Sequence, residues 1–137
     1  ATAGASQATA LLSGLAQGVH TLDASIADNA GNLSSASQVS FTVDLASPTI
    51  VISSPSAGSF FNYASTTAII NYADTGGSGL SLSSLVVRLD GNLVAATAGA
   101  SQATALLSGL AQGVHTLDAS IADNAGNRTS AVQVSFT

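Results

Sequence analysis

Apolar and polar residues alternate along this chain in short runs closed off by glycine, proline and aspartate. A period of two marks a strand with one buried face. In the last run Val132, Val134 and Phe136 point one way and Gln133 and Ser135 the other. The run before it sets His115, Leu117, Ala119 and Ile121 against Thr116, Asp118 and Ser120. Val114 breaks that alternation and leaves the start of the strand open. Leu85, Val87 and Leu89 oppose Val86 and Arg88, and Asp90-Gly91 follows directly, a strong tight-turn pair. The pattern predicts seven strands, at 49–53, 66–72, 85–89, 92–97, 101–107, 114–122 and 129–137. Pro48 and Pro55 bracket the first, where they interrupt no central ladder. The loop 74–79 holds three glycines and cannot be an element interior. No helix is predicted: residues 102–110 are rich in Ala and Leu, but Gly109 and Gly113 close in on them. Seven strands in about 93 residues imply two packed sheets. Their core should contain Leu85, Val87, Leu89, Leu117, Ile121, Val134 and Phe136.

The chain also repeats itself. Residues 1–42 return at 96–137, an offset of 95, with three changes: Leu33 to Arg128, Ser34 to Thr129 and Ser37 to Val132. That period exceeds the roughly 20–50 residues of helical and leucine-rich solenoids and suits a β-sandwich of about 100 residues. The expected organisation is the second half of one repeat with the start of a linker at 1–44, then one complete repeat at 45–137. Residues 43–48 form the join, too short to behave as a random-coil tether. Three strands alone cannot close a core. Residues 1–42 are therefore expected to be completed by strands from a neighbouring identical repeat or from a copy of the chain itself.

Composition narrows the function. Charged residues are 7% of the chain: seven Asp, Arg88 and Arg128, with no Lys or Glu. A nucleic-acid surface needs clustered Lys and Arg, so nucleic acid is excluded as a partner. The absence of Lys removes Schiff-base chemistry, and the absence of Cys removes disulfides and thiolate metal sites. No apolar run reaches the 18 or so residues of a membrane-spanning helix.

A family resemblance rests on particular residues. The stretch Gly113-Val114-His115-Thr116-Leu117 followed by Asp123-Asn124-Ala125-Gly126-Asn127 resembles the G-x-H-T…D-x-A-G-N signature of bacterial Ig-like domains. Residues 47–55, the loop from Asp74 to Ser78-Gly79-Leu80 and the Asp90-Gly91 turn are similar to that family's opening strand, D-x-x-S-G loop and hairpin. The resemblance covers the complete repeat and, through the copy, the partial one. It implies an Ig-like β-sandwich, and an extracellular spacer or adhesive module rather than an enzyme.

Candidate chemistry is sparse. His20 and His115 are one position in two copies, and a structural role is expected for both. In an Ig-like sandwich the 74–79 loop, the loop after 122 and the incoming linker share one end. Asp44, Asp74, Asp123 and Asn127 should therefore converge, a candidate calcium site because calcium takes six to eight hard oxygens. The competing reading is that Asp and Asn in glycine-rich turns cap their own backbone. Asn32 and Asn127 each open an N-x-[ST] sequon, a candidate glycan anchor. Asn127 cannot easily be both glycosylated and a metal ligand. The resulting expectation is a non-enzymatic module of a tandem array, in an extracellular stalk, adhesin rod or filament. Two rivals stand beside it: a carbohydrate- or partner-binding module built on Phe60, Phe61 and Tyr63, and an accessory domain of a secreted enzyme.

Overall fold

The computed structural model describes residues 2–4 and 6–137. The chain divides into two compact units, Ala1–Val43 and Asp44–Thr137. The first contains β1 (Thr2–Ala3), β2 (Ala8–Thr9), β3 (Gly18–Leu22), β4 (Ser25–Ala27), β5 (Leu33–Ser35) and β6 (Val39–Val43). They form three separate antiparallel pairs, β1 with β2, β3 with β6 and β4 with β5. Leu12, Leu22, Ile26 and Val39 are exposed there.

The second unit is all β and carries β7 (Thr49–Ser54), β8 (Ser65–Ala73), β9 (Leu80–Leu89), β10 (Asn92–Leu93), β11 (Thr97–Ala98), β12 (Gln102–Ser108), β13 (His115–Asp123), β14 (Arg128–Ser130) and β15 (Val134–Phe136). One sheet runs β11-β12-β8-β7; the other runs β10-β9-β13-β14, with β15 also paired to β13. The two inner faces meet in one core. Ile50, Ile52, Ala68, Ile70, Tyr72, Ala103, Ala105 and Leu107 come from the first sheet; Val87, Leu117, Ala119, Ile121, Val134 and Phe136 come from the second. Alternation explains this division, because successive Cβ atoms point to opposite faces. Along β12, Ala103, Ala105 and Leu107 are buried while their neighbours are exposed. Tyr72 takes its hydroxyl into the core and donates it to Gly99 O at 2.8 Å, so the buried ring leaves no polar atom stranded. Arg128 lies on β14, the outermost strand of its sheet, and Nη1 donates to Ser120 Oγ at 3.0 Å.

The structure corrects the sequence reading in three places. The strand expected at 92–97 is two short pieces in different sheets, β10 on β9 and β11 on β12, so the chain crosses between sheets there. The strand expected at 129–137 is broken by residues 131–133, where Ala131 N donates to Ala119 O. Val132 falls in that break, off the ladder, and is 88% exposed rather than aligned with Val134 and Phe136. Of the seven expected core residues, Leu85 and Leu89 are only partly buried, at the margin of the cluster. In addition β9 begins at Leu80, five residues early, because the β13 ladder continues past a bulge to pair Asp123 with Leu80.

Candidate functional site

Three chain segments meet at one end of the complete sandwich: residues 44–46 leading into β7, the 74–79 loop after β8, and the turn after β13. An aspartate anchors each. Asp74 closes its own loop, Oδ1 accepting from Gly76 N at 3.1 Å and Oδ2 from Gly79 N at 2.9 Å. Gly77 and Gly79 have φ of +101° and +76°, a region that favours glycine. Asp44 reaches across, Oδ2 accepting from Ser78 N at 2.9 Å and Oδ1 from Ala46 N at 3.0 Å. Gly76 makes this approach possible, since a Cβ there would collide with the Asp44 carboxylate. Asp123 takes the Asn127 backbone N–H on Oδ1 at 2.8 Å and the Asn127 side-chain amide on Oδ2 at 2.7 Å.

One carboxylate oxygen from each of Asp44, Asp74 and Asp123 lies within 4.8 Å of the others, with Asp44 and Asp123 buried and Asp74 half-buried. The Ser78 hydroxyl beside Asp44, together with the Ser78 N–H, holds that carboxyl below its ordinary value of 3.8, against the opposing effect of burial. Ser78 Oγ is itself buried and makes no well-formed hydrogen bond with the described residues. The arrangement has two chemical capacities. Backbone N–H groups already cap all three carboxylates, which is turn chemistry. Every aspartate oxygen has a further lone pair, and three clustered carboxylates supply hard ligands of the kind calcium takes.

Asn127 joins this group with its NH2 rather than its oxygen: Nδ2 donates to Asp44 O at 3.0 Å and, more weakly, to Ala46 O at 3.4 Å, besides Asp123. It is a clamp between the linker and the turn. An N-glycan is carried on that same nitrogen, so sugar at Asn127 would displace these bonds. Asn32, its counterpart, donates Nδ2 to Asp28 Oδ2 at 2.7 Å and is exposed. That side chain and its backbone N–H keep the Asp28 carboxyl below its ordinary value.

The opposite end holds the histidine. Asp90 and Gly91 have φ of +49° and +80°, both left-handed, as a tight two-residue hairpin turn requires. Asp90 Oδ1 accepts from Thr116 N at 2.8 Å, and His115 Nδ1 donates to Asp90 Oδ2 at 2.7 Å. His115 Nε2 faces Ala111 O at 2.8 Å. Both ring nitrogens thus face acceptors, which suits the imidazolium with two N–H donors. The Asp90 hydrogen bond, then the Ala111 carbonyl, raise the His115 pKa above 6.5, and His115 lowers that of Asp90 below 3.8. Nearby, Phe60, Phe61, Tyr63, Leu110 and Phe136 line a groove of about 350 Å³. Phe61 meets Phe136 edge-on, at 82°, and Tyr63 at 53°. Phe61, Tyr63 and Phe136 thus pack against one another at an angle, and Phe60 is exposed beside them.

Sequence reasoning brought Asp44, Asp74, Asp123 and Asn127 to one end but missed Asp90, Ser78 and Asn124. Asn124 ties the two loops, Nδ2 donating to Ser78 O and its backbone N–H to Gly79 O, both at 2.9 Å. The positive φ of Asp90 was readable in the D-G pair. Its bond to His115, 25 residues away, had no local signal.

No curated protein matches the chain. Among solved structures it resembles the fibronectin(III)-like modules of Clostridium thermocellum CbhA, at 23% identity over 64% of this chain and 92% of that one, with a TM-score of 0.50. That likeness concerns the fold. A sequence model described as the bacterial Ig-like domain matches residues 2–45 and 61–137, and the chain belongs to that family.

Proposed function

We propose that this is a non-enzymatic structural module, a segment of a tandem Ig-like array that forms an extracellular stalk, adhesin rod or filament with neighbouring identical repeats. The observation that carries the reading is the treatment of the linker. Asp44 and Ala46, which precede the first strand of the complete repeat, are held by Ser78 and Asn127 of that repeat's loops. A join gripped by the domain it enters has little freedom left, and short stiff joins turn repeated domains into a rod. Near-verbatim copying of the loops favours length over recognition, because recognition comes from loops that differ.

The proposal includes calcium at Asp44, Asp74 and Asp123. An ion there would bridge the linker to both loops. It would offset three like charges for which the described residues provide no basic partner; their one ion pair is His115 with Asp90.

The test is small-angle scattering from chains of one, two and three complete repeats, with and without millimolar calcium. The maximum dimension should rise by about 3 nm per repeat, the length of a nine- or ten-residue strand, and calcium should raise the melting temperature. Growth as a flexible coil would overturn the rod. Absence of both binding heat and a thermal shift would leave turn capping as the sole role of the cluster.

A further inference from the structure

Three residues distinguish the two copies, and all three lie together. Leu33 becomes Arg128, Ser34 becomes Thr129 and Ser37 becomes Val132, while the rest of 96–137 is copied unchanged. Arg128 and Thr129 open β14, and Val132 stands in the break between β14 and β15. Two of the changes act on the surface. Arg128 brings an exposed cation, and Val132 brings an exposed apolar side chain where Ser37 has a hydroxyl.

The pairing of β13 with β9 and β14 arranges this outer face in rows. Asp118 pairs with Arg88, Ser120 lies between Val86 and Ser130, and Ala122 pairs with Arg128. Such rows are about 7 Å apart along a strand, so the two arginines flank the Ser120 row from either side. A small pocket of about 100 Å³ opens there, lined by Val86, Arg88, Asp118, Ser120, Ser130 and Ala131. A depression in the first unit is lined by the twins Asp23, Ser25, Ser35 and Ala36. The shared strand pair and its break therefore shape the hollow, and the second copy adds the Arg128 cation to it.

Neither guanidinium has an acidic partner among the described residues. Arg128 gives Nη1 to the neutral Ser120 hydroxyl at 3.0 Å. Arg88 forms no ion pair even with Asp118, directly opposite in the register. Asp118 is held instead by the Gln133 amide, which donates to both its oxygens, at 2.9 and 3.1 Å. The chain's two cations thus converge on one pocket with forked donors that match a planar carboxylate.

We infer that this pocket is a binding site for the carboxylate of an acidic saccharide, with Arg88 and Arg128 as its ligands. The volume admits a carboxylate and little more, so the rest of the ligand lies along the face. Ser120 and Ser130 offer hydroxyls beside the pocket, which suit a hydroxylated ligand. A protein partner is less well matched, because the core of a protein interface is enriched in aromatic residues and none lines this pocket. Loops copied verbatim leave the repeats alike, whereas this strand is where they differ. The inference is independent of the rod, since it concerns one face of one domain.

The experiment titrates the intact 137-residue chain with a galacturonic acid trimer, by calorimetry and by amide chemical shifts. Controls are the neutral galactose trimer, a triglutamate peptide and sodium acetate. The uronate trimer should bind one-to-one, shifting amides of Ser120 and Ser130 and leaving those of Ser25 and Ser35 in place. Arg128→Leu, which installs the residue of the first copy, and Arg88→Gln should each weaken binding about tenfold, as loss of a charged hydrogen-bonding partner does. Asp118→Asn should tighten it by removing the carboxylate that repels the ligand. Unchanged melting temperatures show that the variants are folded, and the first copy's leucine makes Arg128→Leu compatible with the strand. No binding of the uronate, equal binding of the neutral trimer, or equal shifts in both copies would overturn the site. So would retention of full affinity in both arginine variants. Equal affinity for triglutamate would overturn the saccharide assignment, and equal affinity for acetate would reduce the pocket to an adventitious ion only. If uronate binding fails while multi-repeat chains still lengthen as a rod, only this site is lost.

Discussion

His20 stacks on Phe41 at 5.7 Å between ring centroids, and His115 lies 5.7 Å from Phe136. Gln38 donates to Asp23 as Gln133 donates to Asp118, and Asn32 caps onto Asp28 as Asn127 does onto Asp123. Two regions of nearly identical sequence thus build the same turns and cross-strand contacts, yet among the described residues only the second has a buried core. The difference teaches where each kind of information resides. Turn residues and cross-strand pairs are local, so residues 1–42 specify them unaided. Burial depends on β7, β8 and β9, which are remote in the sequence from the strands they cover.

The sharpest way to break this comparison is a matched truncation of Phe136 and Phe41. Phe136→Ala should cost the second unit about 3–5 kcal/mol. Phe41→Ala should shift that unit's cooperative denaturant transition by less than about 0.5 kcal/mol, as surface changes do. Equal losses would mean that the two copies share a core.

A smaller contrast concerns the clamp. Asn127→Ala removes bonds to the linker carbonyls and to Asp123, and should cost about 1–3 kcal/mol. Asn32→Ala removes bonds to the exposed Asp28 only and should stay within about 0.5 kcal/mol. Urea melts of both variants decide it, and a neutral Asn127→Ala would show that the linker is not held through this side chain.

The smallest expected effect is a pH dependence from the Asp90–His115 ion pair of the second unit. His115 is raised in the folded state, so its contribution is complete below 6.5 and is lost as pH rises through the raised value. Asp90 is lowered, so its contribution is complete above 3.8 and is lost as pH falls through the lowered value. Melting temperature should therefore carry a shallow plateau between those limits, and Asp90→Asn should flatten it. A plateau that survives Asp90→Asn would assign it to other carboxylates.

Much of the fold was legible in the sequence because period-two alternation reports directly on a half-buried strand. Leu117, Ile121, Val134 and Phe136 were read correctly for that reason. Alternation failed where the ladder breaks: Val132 keeps the phase of the strand but not its hydrogen bonds, and nothing in 131–133 announces the interruption. The convergence of Asp44, Asp74 and Asp123 followed from the order of loops in a sandwich. The direction in which Asn127 points did not, because an amide offers donor and acceptor alike and only the neighbouring carbonyls of Asp44 and Ala46 decide between them. Asp90 was read as a turn residue, and its grip on β13 is set by the pairing of β9 with β13, a non-local fact.

Arg128 has a consequence of a different kind. A sheet's outermost strand presents unpaired backbone groups that invite another sheet to extend it, and a long charged side chain there obstructs the approach. The copy in the first unit has an exposed leucine, Leu33, at that position. Copies of one sequence on the same polypeptide are the most compatible partners for such runaway stacking. One arginine on β14, in a chain with only two cationic side chains, therefore sets a charge on the rim where its counterpart has an exposed leucine.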